Sequence, residues 1–242
     1  RRRQRQTEEV AGVRRLAGVV SLVLLLACCA NTVDGAARPA ATALKILPTD
    51  DQITDAVGNG LSTFGFQPFV GGPEILPDGF RTDAEASPIA CIGVTDTTMR
   101  VVYEATPMVE AARQSYFTLD QHVAVTGADA AVIRMASAAD AQRVFDESVR
   151  QWRGCDGKTV DKRLRGATNA EVFADISDVA ATGSTLSATL HTHTGPNGPT
   201  SSYTRVLGVR ADTIVEVSLA VTADGDHGPR AEAAAQAMLD KV

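Results

Sequence analysis

Three runs in the last third of the chain, Ser184 to Thr194, Thr200 to Arg210 and Thr213 to Val221, alternate apolar and polar residues and are rich in β-branched side chains. Successive side chains on a strand point to opposite faces, so such runs suit a sheet that buries one face. Their connections are short: Gly195-Pro196-Asn197-Gly198-Pro199, then Ala211-Asp212. Short turns of this kind join neighbouring strands antiparallel, and the spacing predicts a meander. In the third run Val215, Val217, Leu219 and Val221 would face the core, with Glu216 and Ser218 on the other side. Pro229 would then open a closing helix that carries Ala231, Ala234, Ala235, Met238 and Val242 on one face.

The strongest helical pattern lies earlier, in Asp140 to Cys155. Ala141, Val144, Phe145, Ser148, Val149 and Trp152 recur at steps of three and four and so share one face. Ser137 is placed as the N-cap, and Gly154 fits the C-terminus. Trp152 reads as a core residue whose indole N–H needs one acceptor. Cys155 sits where the chain leaves the helix and could be stapled to another part of the domain. The only other cysteine in the globular region is Cys91.

Before this helix the reading is less regular. Thr49-Asp50-Asp51-Gln52 has capping-box spacing, and Ile53, Ala56, Val57 and Leu61 continue a short helix. Residues 63 to 90 are rich in Gly, Pro and Asp and read as a long ordered loop or a variable insertion lying over the core, with Phe64, Phe66, Phe69 and Phe80 as cleft or cover residues. Met99 to Ala105 and Ala130 to Ala136 read as strands, as does Glu171 to Ile176. Residues 108 to 126 are ambiguous, with His122 to Val125 the most strand-like part.

The N-terminus has a different character. Arg1, Arg2, Arg3, Arg5, Arg14 and Arg15 precede the apolar run Leu16 to Ala27, the pattern of a bacterial export signal over residues 1 to 27. A membrane-spanning helix needs about 20 residues, more than this run supplies. Leu25-Leu26-Ala27-Cys28 resembles the lipobox of bacterial lipoproteins, which makes Cys28 the expected lipidation site and Cys29 the alternative. Cleavage before Cys29 would leave no odd thiol, whereas Ala27 is the small residue the motif wants before Cys28. Several acyl chains, each buried methylene contributing about 0.8 kcal/mol, would anchor the protein to the outer face of the cell membrane. Residues 28 to 44, rich in Ala and Thr, then read as a tether, and residues 45 to 242 as the domain.

Composition narrows the partners. Residues 1 to 27 hold six of the 23 basic and two of the 29 acidic residues, leaving 17 basic against 27 acidic in the body. An acidic body lacks the Lys and Arg excess that neutralises phosphates, so no nucleic-acid partner is expected. The sequence contains no G-x-S-x-G elbow, P-loop, C-x-x-C pair or H-E-x-x-H.

One constellation suggests chemistry. His191 and His193 are two apart on a strand, hence on one face, and could supply two ligands of a zinc site, with His122, His227 or an acidic residue as a third. Histidines on the solvent face of an edge strand beside a turn are the commoner case. Tyr203 and Arg205, on the neighbouring strand, are candidates for touching an anionic or aromatic ligand if the meander lines a cleft. A meander face carrying His191, His193, Tyr203 and Arg205 is the expected ligand-binding surface, with the loop before Cys91 as the other candidate.

The order ILPTDDQITDAVG, CIGV, a segment with Tyr103, SAADAQRVFDESVRQWRGC, RVLGVRADTIVEVSL and an Ala-rich closing helix resembles the PknH-like extracellular sensor domain family over residues 45 to 242. That family also occurs in actinobacterial lipoproteins that carry no kinase. The helix ending Trp-x-x-Cys is the most specific part of the likeness. The resemblance implies an α+β domain, an antiparallel sheet with helices packed on it, a ligand-binding cleft and no established catalytic activity or cofactor. The family pattern has a second cysteine pair, one member in the strand where this chain has Ser202, Tyr203 and Thr204. Without it, Cys91 and Cys155 remain as one disulfide, with two buried thiols as the alternative. The expectation is a cell-surface lipoprotein whose non-catalytic domain binds a small ligand or envelope component. The alternatives are a structural or protein-interaction lipoprotein and a metal-dependent hydrolase using His191 and His193.

Overall fold

A computed structural model describes residues 42–164, 170–195, 198–222 and 229–242. The elements in chain order are α1 (Ala43–Ile46), α2 (Asp50–Val57), β1 (Phe69–Gly71), β2 (Ala86–Ser87), α3 (Ile92–Thr95), α4 (Arg100–Tyr103), β3 (Met108–Phe117), β4 (Val125–Met135), α5 (Ala138–Cys155), β5 (Thr159–Arg163), β6 (Glu171–Thr182), β7 (Thr185–His193), β8 (Thr200–Arg210), β9 (Thr213–Val221) and α6 (Arg230–Leu239). The signal, Cys28, Cys29, most of the tether and His227 lie outside the described residues. Ala43, at the end of the stretch read as tether, is fully buried.

Local chemistry explains the long elements. Thr49 accepts a hydrogen bond from the Gln52 N–H while the Gln52 side chain accepts one from the Thr49 N–H, so α2 starts on the expected capping box. It ends at Gly58, whose φ of 79° is the left-handed conformation that glycine adopts without a Cβ clash. Ser137 caps α5 by accepting from the Asp140 N–H at 3.1 Å. Ala141, Val144, Phe145, Ser148, Trp152 and Cys155 form its buried face. The helix ends at Cys155, the end of the stretch read as helical, and the Cys91–Cys155 disulfide ties its last turn to the residue before α3.

The nine described strands form one antiparallel sheet in the order β1-β3-β4-β9-β8-β7-β6-β5-β2. The meander of β7, β8 and β9 forms as expected and becomes the middle of this sheet, with no free edge. The sheet separates two cores. One lies under α5, α3 and α4 and contains Trp152, Tyr103, Ile133, Leu207 and Ile214; the other lies under α1, α2 and α6 and contains Ile53, Val132, Val217, Ala235 and Met238. Cover on both faces corrects the reading of β9. Glu216, expected on the solvent side, is 3% exposed, and Ser218 is half-buried.

Three other expectations change. Met99 to Ala105 is not a strand: Arg100–Tyr103 is a helical turn that places Met99 and Tyr103, four apart, in the core. Tertiary contacts outweigh the β preference of its two valines. The strand in residues 108 to 126 is Met108–Phe117, while His122 to Ala124 belong to the connection into β4. The segment after Cys155, whose Lys158, Lys162, Arg163 and Arg165 read as polar connection in the sequence, holds β5, with Val160 and Lys162 buried.

Candidate functional site: a trough across one face of the sheet

Register assigns each side chain to a face. Leu190 pairs with Tyr203, and His191 with Ser202. Directly paired residues point the same way, and neighbours along a strand point oppositely. His191 and His193 therefore project from one face, and Tyr203 and Arg205 from the other. The four expected ligand-binding residues do not converge.

Nor do the two histidines act as a pair. His191 Nδ1 lies 3.0 Å from Ser202 Oγ, whereas His193 stacks on Phe173 and places Nε2 3.3 Å from Asp175 Oδ2. Their strand is flanked by β6 and β8, so it is not the edge strand expected. His122 lies in the connection after β3. Among the described residues no group of three His, Cys, Asp or Glu side chains is placed to hold a metal ion.

Arg205 is corrected more sharply. It is fully buried, with its guanidinium carbon 5.7 Å from the Trp152 ring centre and Nη2 2.7 Å from Glu216 Oε2. Its Nε donates to the Val94 carbonyl at 3.1 Å, and Nη2 also reaches the carbonyls of Gly93 and Asp96. Glu216 Oε1 accepts from the Thr98 N–H and from the Tyr103 hydroxyl. A buried ion pair hydrogen-bonded to the surrounding backbone is the form in which charge survives in a core. Of the guanidinium nitrogens, Nε and Nη2 are satisfied here, while the buried Nη1 has no hydrogen-bond partner among the described residues. Here it ties residues 93–98 down onto β8 and β9. Burial, the Glu216 charge and its hydrogen bond together push the Tyr103 hydroxyl well above the ordinary tyrosine value.

The segment so held is one wall of a trough. On the same face as Tyr203, two hollows of about 320 Å³ each lie along the sheet and share Thr97 and Asp129. The first is bounded by Phe66, Phe69 and Phe117, with Arg113, Ser115 and Ala131 at its base. Arg113 lies over the Phe69 ring at 5.4 Å. The second is lined by Thr95, Asp96, Lys162, Thr192, Tyr203 and Ser218, with Leu164 and Val172 at its far end. Its ammonium group, Lys162 Nζ, lies 3.0 Å from Asp96 Oδ2. The lining residues come from β1, β3, β4, β9, β8, β7, β6 and β5 in their order across the sheet. Strands sit about 4.8 Å apart, so the trough spans on the order of 30 Å.

Of the expected site residues, only Tyr203 lines the trough. Arg205 supports its wall from below, and the histidines lie behind it. Of the aromatics in the loop before Cys91, Phe66 and Phe69 line the first hollow. Asp96, Asp129, Arg113 and Lys162 carried no signal, because their meeting depends on pairings between strands far apart in sequence.

The profile of the PknH-like extracellular domain family matches residues 39–241. Among solved structures, the crystal structure of the extracellular domain of PknH from Mycobacterium tuberculosis has the same fold, with a TM-score of 0.66 at 18% identity over 81% of this chain and 92% of that chain. No curated protein matches the sequence significantly.

Proposed function

The chain belongs to the PknH-like extracellular domain family, and from that membership we propose a cell-surface lipoprotein whose sensor-like domain holds a small ligand or envelope component without turning it over. The observation that carries this reading is the trough, a concave site with aromatic walls and a few convergent polar groups, on a rigid sheet. Residues 93–98 are pinned by Arg205 and Glu216, so the site is formed in advance, and little ordering entropy opposes binding. The anchor rests on the lipobox at Cys28, with Cys29 as the alternative residue. Among the described residues no helix is long and apolar enough to cross a membrane.

The test has two arms. Cell fractionation of the wild type and of Cys28→Ser and Cys29→Ser variants should show membrane retention lost in one variant. Wild-type protein wholly in the medium would end the anchoring claim. Ligand screening of the purified chain by NMR should perturb Thr97, Asp129 and Tyr203, and perturbation confined to other surfaces would end the claim for the trough.

A second reading, protein interaction, is favoured by one observation. Phe66, Phe69 and Phe117 are exposed around one hollow, and Phe64 and Leu119, two residues from Phe66 and Phe117 in the chain, are exposed as well, the kind of apolar surface that marks contact sites. Co-purification of a stoichiometric envelope protein, abolished by Leu119→Ser, would establish it. The metal-dependent hydrolase has less support, since His191 and His193 are committed to separate partners.

A further inference from the structure

The two halves of the trough differ in chemistry, and the difference constrains the ligand. In the first, Phe66, Phe69 and Phe117 stand partly in solvent, at 67%, 65% and 45% exposure, around a base that includes Ala131. Large exposed aromatics around a hollow gain free energy when an apolar group covers them. In the second half, Thr97, Ser218 and Tyr203 present hydroxyls, which both donate and accept, while the hydroxyls of Thr95 and Thr192 donate to Asp96 and to the Ser201 carbonyl and are left as acceptors.

The charges bear on the head group. Lys162 is neutralised by Asp96 at 3.0 Å, and Asp129 accepts from the Ser115 hydroxyl. Arg113 lies over Phe69 in the apolar half. The trough thus carries two basic and two acidic side chains among its lining residues, with no excess cation in the polar half to hold an anion. An anionic head would meet Asp96 and Asp129 and disrupt the Lys162 pair.

We propose that the trough takes an amphiphile lengthwise, with its apolar portion between Phe66, Phe69 and Phe117 and an uncharged polyhydroxylated head against Thr95, Thr192, Ser218 and Tyr203. The chemical class is a neutral glycolipid or alkyl glycoside. Thr97 and Asp129, common to both hollows, stand at the junction where the tail gives way to the head. This rests on the trough being the binding site, and names what enters it.

The test is isothermal titration of the purified full chain with octyl β-D-glucoside below its critical micelle concentration, and separately with glucose and with octyl sulfate. Octyl glucoside should bind at least tenfold more tightly than either control. Phe66→Ser/Phe69→Ser and Thr192→Val/Tyr203→Phe should each weaken it at least tenfold. All four residues are partly or largely exposed, and an unchanged thermal transition will show that each variant is folded. Octyl sulfate binding as tightly as the glucoside, or Phe variants that bind as well as wild type, would overturn the amphiphile while leaving the trough as the site. The amphiphile is overturned in the same way if none of the three probes binds but an unrelated molecule perturbs Thr97 and Asp129 in the NMR screen. If nothing perturbs the trough, the proposed function falls with it.

Discussion

Arg205 Nη2 and Glu216 Oε2 meet at 2.7 Å in the interior, on adjacent strands β8 and β9, with the Trp152 ring against the guanidinium. Three backbone carbonyls accept from Arg205, and the Thr98 N–H and the Tyr103 hydroxyl donate to Glu216, so two sheet residues position the wall of the trough. Replacing Arg205 by Met leaves Glu216 buried without its cation, which costs about 3–5 kcal/mol. In urea unfolding, Arg205→Met/Glu216→Gln should lose clearly less stability than the sum of the two single variants. Additive losses would show that the pair does not act as a unit.

The Cys91–Cys155 bond closes a loop with a sequence separation of 64. In the chain-entropy account a loop of this length contributes about 4 kcal/mol by restricting the unfolded chain. Cys91→Ser/Cys155→Ser should therefore unfold at a markedly lower urea concentration. A loss below about 1 kcal/mol would place the holding of α5 in packing alone.

Alkaline pH should destabilise the domain through two tyrosines. Tyr103 is raised by burial, then by the Glu216 charge and hydrogen bond; Tyr116 is raised by burial, then by the Asp50 charge, and its hydroxyl donates to the Pro48 carbonyl at 2.6 Å. A raised folded-state value means that the native form keeps its proton after the unfolded chain has lost it. The stabilisation is complete below the ordinary value of 10.0 and is lost as pH rises from there towards the folded-state value. The slope is about 1.4 kcal/mol per pH unit for each tyrosine. Tyr116→Phe should remove about half of it, as measured by urea midpoints between pH 9 and 11 at roughly half-unit steps.

The histidines should be silent in ligand binding at the trough. They project from the opposite face of β7, so His191→Ala/His193→Ala should leave affinity within about twofold, whereas Tyr203→Phe on the trough side lowers it. A tenfold loss in the histidine variant would move the site to the face carrying Phe173 and Asp175.

Much of the fold was legible because its signals are local. Ser137 and Thr49 announce helix starts through side chains that reach three residues on, and Trp152 declares its face by steps of three and four. Cys91 and Cys155 were paired through the family resemblance, and the structure joins them. Little of the site could be found the same way. Two-residue periodicity puts Tyr203 and Arg205 on one face and His191 and His193 on one face, but the expectation that all four share a single meander face fails on the pairing register, which sets Leu190, not His191, opposite Tyr203.

The sequence by itself determined the capped helices, the antiparallel meander and the two cysteines available to the domain, because each follows from neighbours within a few residues or from a count. Only the tertiary structure decided that β9 is covered on both faces, that Arg205 is an interior anchor, and that Phe69, Asp129, Tyr203 and Lys162 line one trough. Alternation reports how many faces of a strand are apolar, but a charge can be buried when a distant partner neutralises it, as Glu216 does for Arg205. That compensation, and the order of strands that creates the trough, arise from pairings between segments far apart in the chain, which no local pattern encodes.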